Sequence, residues 1–332
     1  MPPASETLSY QSNFVSAEPA SHQSGGAAVP DRLFEYNYFE YGGFDLELYF
    51  VREILGLESL HYGCFELHEP LTLETVRRAQ HRYTQSLVEM LPSDVERVID
   101  VGCGMGDVAR AMARRGKTVV ALSPDRNHGQ YVAGSHPDLT FVNEKFETFM
   151  ATEPADLVLM SESQNYFDTV AGLRQVRRCI RPGGYLLISG MFVKEPCAEF
   201  RDIINTEGGY FEAAADHGFD VIKRSDITEE VSPTLEFARR SLEQFVGPLP
   251  RLLDHYMRAR SPVKYWFLRT FFRRQFKDYQ RTLDYYHKRF DQALFKEKVR
   301  YLRVLFRQST NGSRAGLDPH TEAAITGRRA PA

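Results

Sequence analysis

"VIDVGCGMGDVARAM" (98–112) decides the architecture. An apolar run reaches an acid, Asp100, then Gly102, Gly104 and Gly106 at every second position, and then a helical pattern. A strand that passes through a glycine turn into a helix opens a βαβ ligand-binding unit, and the glycines let the backbone approach the ligand closely. The dinucleotide version needs a small residue three positions after its second glycine. That position is Asp107, whose carboxylate on the first helical turn repels a pyrophosphate that the helix N-terminus would otherwise attract. The next strand-like run, "VVALSPDRNHG" (119–129), ends on Leu-Ser-Pro instead of the acid that holds a dinucleotide's ribose. Nicotinamide and flavin dinucleotides are disfavoured. A phosphate-free ligand carrying a sulfonium, an ammonium and a carboxylate, S-adenosyl-L-methionine, gains from an acid near the turn.

Outward from this stretch the chain alternates. Strand-like runs at 97–101, 118–122, 139–142, 156–160, 185–189 and 219–223 are separated by helical runs that include 107–115, 169–180 and 209–217. Such alternation predicts a parallel sheet with helices on both faces. A seventh strand, "YLRVLFR" (301–307), follows a helical insertion at 235–298. Ahead of the core, Thr72 starts a helix by a capping box, with an apolar stripe through Leu73, Val76, Tyr83, Leu87 and Leu91. Residues 1–30, rich in Ser, Ala, Pro and Gly, and residues 309–332 read as disordered tails. The domain plan is therefore 31–92 as an N-terminal lid, 93–234 as the cofactor-binding core, 235–298 as a helical substrate lid and 299–308 as the last core strand. Removing residues 1–28 should leave activity nearly unchanged, whereas removing everything up to residue 70 should abolish it. Activity assays on the two truncations check this.

A net charge of −3 and a pI near 6.4 give no overall pull toward nucleic acid or anionic membrane. Cys64, Cys103, Cys179 and Cys197 lack paired spacing, and no signal-like or transmembrane run occurs, so the cytoplasm is the expected compartment. The insertion is basic as well as aromatic, with Tyr265, Trp266, Phe267, Phe271 and Phe272 in one short stretch. Its charges are a solvated face or, at 258–289, a site for an anionic group, with Arg273 and Arg274 the residues to test.

The glycine turn with "RPGGYLLI" (181–188) resembles the class I S-adenosylmethionine-dependent methyltransferases. More narrowly, "HYGCFELHEPLTLETVRRAQ" (61–80), "ALSPDR" (121–126) and "NEKFETF" (143–149) resemble the group of cyclopropane fatty/mycolic acid synthases, tocopherol methyltransferases and sterol methyltransferases. The resemblance implies an α/β, Rossmann-like seven-stranded sheet with a lid from the N-terminal segment and from an insertion before the last strand. It implies that the Ser123 strand end holds the ribose, through Arg126 where the group has Gln, or through Asp125. It also implies Tyr62 at the methionyl end, the Phe146 amide on adenine N1 and Glu147 on the adenine amino group. Asp100, Gly102, Gly104, Gly106 and Ser161 complete the expected cofactor set, and no metal is expected.

"MSESQNYF" (160–167) puts Asn165 and Tyr166 where the synthases carry a carboxylate–histidine pair. Asn165 cannot supply a carboxylate's charge, so cyclopropanation is disfavoured against transfer to oxygen, nitrogen or activated carbon. Glu162, at the fourth strand's end, ranks first as base, ahead of His61, Glu66 and His68, and Tyr166 would orient the nucleophile. The expected partner is a small lipophilic substrate, with no nucleic acid and no stable membrane span, and a homodimer is left open. A tRNA or protein methyltransferase is the alternative.

Overall fold

A computed structural model describes residues 40–41, 44–45, 48, 50–271 and 273–309. The tails expected at 1–30 and 309–332 lie outside the described residues, Ser309 excepted. Seven strands form one sheet: β1 (Arg97–Val101), β2 (Thr118–Leu122), β3 (Thr140–Val142), β4 (Ala155–Ser161), β5 (Ile180–Val193), β6 (Phe219–Asp226) and β7 (Val299–Gln308). Their spatial order is β3-β2-β1-β4-β5-β7-β6. Pairing is parallel from β3 through β5, and β7 runs antiparallel to both β5 and β6. The alternating pattern predicted a parallel sheet. The last strand departs from it because the helical insertion, unlike a single crossover helix, returns the chain from the opposite end.

Central strands buried on both faces read as continuous apolar runs, and here alternate residues feed two core layers. Val98, Leu157, Leu187 and Tyr301 pack on one side with Tyr83, Leu87 and Val108. Ile99, Val158, Leu186 and Val304 pack on the other with Leu173, Tyr210 and Phe219. The flanking helices are α1 (Leu73–Val88), α2 (Asp107–Arg114), α3 (Arg126–Ser135), α4 (Thr169–Cys179) and α5 (Glu207–Asp216). Thr72 caps α1, its hydroxyl accepting from the Thr75 amide at 3.2 Å. Such a cap contributes about 1 kcal/mol. The reciprocal half of a capping box is missing because residue 75 is Thr, not Glu, and Leu91 falls beyond the helix end.

Between β6 and β7 the chain forms α6 (Thr228–Val231), α7 (Pro233–Ser241), α8 (Pro248–Arg260), α9 (Pro262–Phe271), α10 (Arg273–Arg289) and α11 (Gln292–Lys298). Pro248 and Pro262 fall at first helical positions, where the missing N–H costs nothing. Among the described residues, no helix is long and apolar enough to cross a membrane.

Candidate active site

The carboxyl ends of β1, β2 and β4 converge where strand order reverses, the usual ligand crevice of an open α/β sheet. The glycine turn is pinned there by Gly102 and Cys103 amides donating to the Leu122 carbonyl at 2.8 and 3.2 Å. Gly102 (φ 74°), Gly104 (φ 53°) and Gly106 (φ 76°) are all left-handed. At Gly102 a side chain is excluded by the protein itself, because a Cβ would stand 2.5 Å from that of Ser163. Gly104 differs: its nearest neighbour, Leu60 Cδ1, is 3.7 Å from such a Cβ, so that side of the turn is open to a ligand.

Two buried carboxylates each keep an oxygen without a hydrogen-bond partner, Asp100 Oδ2 and Asp125 Oδ2, the latter 3.7 Å from His128 Nε2. Burial and the neighbouring Asp107 charge push Asp100 up to about 7. Asp125 caps α3, with Oδ1 accepting from the Asn127 amide at 2.7 Å, while Ser123 Oγ accepts from the Asp125 amide at 3.2 Å. Arg126, one residue on, is exposed. At this strand end the carboxylate stays inside and the guanidinium does not.

Asp107 gathers three donors on one oxygen: Ser59 Oγ at 2.7 Å, His61 Nε2 at 2.8 Å and Thr84 Oγ1 at 3.0 Å. The other ring nitrogen of His61 faces the Tyr62 carbonyl at 2.7 Å. Both nitrogens therefore meet acceptors, which calls for the imidazolium. Burial opposes that charge, but the Asp107 carboxylate outweighs it and holds His61 above its ordinary value. Burial likewise pushes Asp107 up, and His61 with the hydroxyl donors brings it below its ordinary value. A base was expected at His61. An imidazolium tied at both ends has no lone pair to offer, so His61 instead staples the 59–62 segment to the start of α2.

Glu162 adopts φ 61°, a conformation that non-glycine residues hold only when their surroundings dictate it. Its amide donates to the Ser189 carbonyl at 2.7 Å. Its Oε1 accepts from the Tyr62 amide at 2.9 Å and the Tyr301 hydroxyl at 2.6 Å. Tyr301 continues to the Tyr83 hydroxyl at 2.9 Å, and from there to Ser161 Oγ and Ser189 Oγ at 2.9 and 2.8 Å. Burial raises the Glu162 carboxyl, against the pull of His61 and Tyr301. The structure places Glu162, Ser161, Tyr62 and His61 in one hydrogen-bonded knot with Tyr83 and Tyr301, which sequence did not assign to a site, and with Asp107, which sequence read only as the acid that repels a pyrophosphate.

Other expected residues lie apart from this knot. Phe146 is buried against Phe167, with ring centroids 5.6 Å apart, while Glu147 and Tyr166 are exposed. Asn165 is consumed by the fold: its amide donates to the Met191 carbonyl at 3.0 Å and its carbonyl accepts from Asn205 Nδ2 at 2.9 Å. Trp266 and Phe271 sit on the outside of the lid, 66% and 65% exposed. The side chains of Phe267 and Phe272 lie outside the described residues. The aromatic rings beside Tyr62 are instead Tyr301 and Phe295.

Residues 75–227 match the family model described as methyltransferase domain, and this stretch is a class I S-adenosylmethionine-dependent methyltransferase domain. The chain is 24% identical over 206 residues to methyltransferase GfsG of Streptomyces halstedii, covering 53% of this chain and 71% of that one. Geranyl diphosphate C-methyltransferase from Streptomyces coelicolor A3(2) superposes with a TM-score of 0.59 at 14% identity, over 78% of this chain and 91% of that one. The [4+2]-cyclase SpnF gives 0.57 at 15% identity, over 80% and 94%. At these identities the two structures attest the fold.

Proposed function

We propose that this protein transfers the methyl group of S-adenosylmethionine to an oxygen or activated carbon of a small lipophilic molecule of secondary metabolism. The cofactor supplies an electrophilic methyl on a sulfonium. The observation that carries the cofactor reading is the pair of buried oxygens on Asp100 and Asp125 that have no hydrogen-bond partner, together with the open side of the glycine turn. Asp125 would accept from ribose hydroxyls, with Ser123 beneath it, and Asp100 would face the cationic methionyl end. Phe146 and Glu147 are assigned to the adenine and Tyr62 to the methionyl moiety.

Glu162 and Ser161 act by position: Glu162 holds the Tyr62 segment and Ser161 the Tyr83 hydroxyl against the strand ends, so that the nucleophile can meet the methyl group at about 3 Å with water excluded. The small-molecule reading draws support from a structural relative named for such a substrate, geranyl diphosphate C-methyltransferase, and transfer to oxygen from a sequence relative named an O-methyltransferase, of Pyrenophora dematioidea. Because SpnF shares the fold and is named a cyclase, the deciding assay must read methyl transfer itself.

That assay incubates the protein with methyl-labelled S-adenosylmethionine and lipophilic phenols, acids and prenyl compounds, beside tRNA and protein. Better turnover on a macromolecule than on any small acceptor would overturn the reading. Calorimetry should find S-adenosylmethionine bound and NAD not bound. Binding should also depend on pH. Free Asp100 titrates near 7, and a cationic ligand favours its ionised form, so below that pH binding must expel a proton. Affinity should then fall with falling pH, approaching about tenfold per unit. Calorimetry at pH 6 in buffers of different ionisation enthalpy should register the released proton, and a flat profile between pH 6 and 8 would remove Asp100 from the site.

A further inference from the structure

The basic character of the lid resolves into two populations. Arg258, Arg273, Arg274, Lys277 and Lys288 are exposed, whereas Arg289, the last residue of α10, is 6% exposed. Its Nε and Nη2 both lean on one oxygen of Asp202, at 3.4 and 3.1 Å, and Nη2 also meets Met191 Sδ at 3.4 Å. Nη1 is buried and has no hydrogen-bond partner. The second oxygen of Asp202 is held by the Tyr285 hydroxyl at 3.1 Å, so the carboxylate cannot turn to cover Nη1. The Phe200 ring lies 4.9 Å from the guanidinium carbon and supports the plane by cation–π contact. Buried guanidinium N–H groups are almost always satisfied in native proteins, and one that is locked in place yet unsatisfied calls for a partner.

The location says what that partner is. The Arg289 charge is felt at both Tyr62 and Glu162, the two residues that join the lid to the β4 end. Burial pushes the Tyr62 hydroxyl up to about 12 against the pull of the Arg289 guanidinium, which lies within hydrogen-bonding reach of it, so the hydroxyl stays neutral and keeps a proton to donate. Two donors, one of them cationic, thus converge among Phe200, Phe295 and Met191.

We propose that Arg289 anchors the methyl acceptor, its Nη1 donating to an oxyanion on an otherwise lipophilic molecule, a carboxylate or a phosphate, beside the Tyr62 hydroxyl. This rests on the methyltransferase reading above, which assigns Tyr62 to the methionyl end of the cofactor. Arg289 then sets specificity by rejecting the uncharged analogue, whose binding leaves Nη1 buried without a hydrogen-bond partner.

The test uses the full chain saturated with S-adenosylhomocysteine and two matched pairs of probes, octanoate with octanamide and octyl phosphate with octanol. At least one acid should bind about tenfold or more tightly than its neutral counterpart, the margin expected of a charge-assisted hydrogen bond. Arg289→Gln should shrink that margin to within about twofold, and Arg289→Lys, which keeps the charge without the Nη1 arm, should retain part of it. The margin is a ratio within each variant, so a general loss of stability does not imitate it. If Arg289→Gln does not fold, the Lys variant carries the comparison. Which acid shows the margin identifies the carboxylate or the phosphate as the group held. No margin in the wild type for either pair, or one that survives in the variants, overturns the proposal. Failure to bind S-adenosylhomocysteine at all would instead overturn the methyltransferase reading.

Discussion

Gly102→Ala is expected to lower the affinity for S-adenosylhomocysteine by at least about 100-fold, read by calorimetry. Two costs combine at this position. The backbone is left-handed, at φ 74°, which an alanine adopts at about 1–2 kcal/mol. The new Cβ would also sit 2.5 Å from that of Ser163, whose hydroxyl is itself tied to the Val101 carbonyl at 2.5 Å. Ser163 cannot step aside without moving the loop that carries Ser161 and Glu162. Gly104→Ala is the informative partner. It meets no protein atom nearer than 3.7 Å, so its effect on the melting temperature should reflect backbone strain alone. Gly104→Val should nevertheless abolish ligand binding, because the branched side chain fills the open side of the turn. Equal binding losses with equal stability losses at the two positions would show that the turn is merely structural.

Asp107→Ala should be the most destabilising single change in the site. It strips the one oxygen shared by Ser59, His61 and Thr84 and leaves an imidazolium buried without its counter-charge. Breaking such a buried pair costs about 3–5 kcal/mol, which for a chain of this size lowers the melting temperature by about 4–7 °C. The cost should vary with pH. His61 titrates above its ordinary 6.5 in the folded state, so its contribution is complete below 6.5 and fades as pH rises through the folded value. Asp107 titrates below its ordinary 3.8, so its contribution is complete above 3.8 and fades as pH falls through the folded value. The pair is worth most between about 4 and 6.5. Denaturation midpoints of wild type and variant should therefore differ most in that window, and a difference independent of pH would mean that the pair is not ionised.

The architecture was legible because each buried strand writes an uninterrupted apolar run and each helix a 3.6-residue stripe. Strands read at 97–101 and 118–122 are Arg97–Val101 and Thr118–Leu122. Direction is another matter: "YLRVLFR" looks the same whichever way it enters the sheet, so its antiparallel course left no trace in periodicity. The glycine turn was legible for the same reason as the strands, since the backbone conformations at Gly102, Gly104 and Gly106 restrict what can stand there. Tertiary partnerships were not. His61 reads as a base until Asp107, 46 residues away, is seen to occupy it. Trp266 and Phe271 read as part of an aromatic substrate lid yet face outward, because composition carries no information about which way a helix faces. Arg289 was hidden among many cations. Its one signal was spacing: it lies three and four residues after Tyr286 and Tyr285, on the face that packs inward rather than among the exposed charges.

The placement of β7 between β5 and β6 has a consequence for how the protein is made. In the sheet, β6 pairs with no strand except β7, and the neighbouring rim of β5 is covered by it as well. A nascent chain synthesised as far as residue 226 therefore holds two unzipped rims, the kind of surface on which unfinished chains stick to one another. At ordinary ribosome speeds the wait from residue 226 to residue 299 is on the order of 4–15 s. The strand that ends the wait also delivers the Tyr301 phenol to Glu162. Closing the sheet and completing this buried hydrogen-bond network are thus one late event, and a chain stalled within the helical insertion is adhesive and lacks the network.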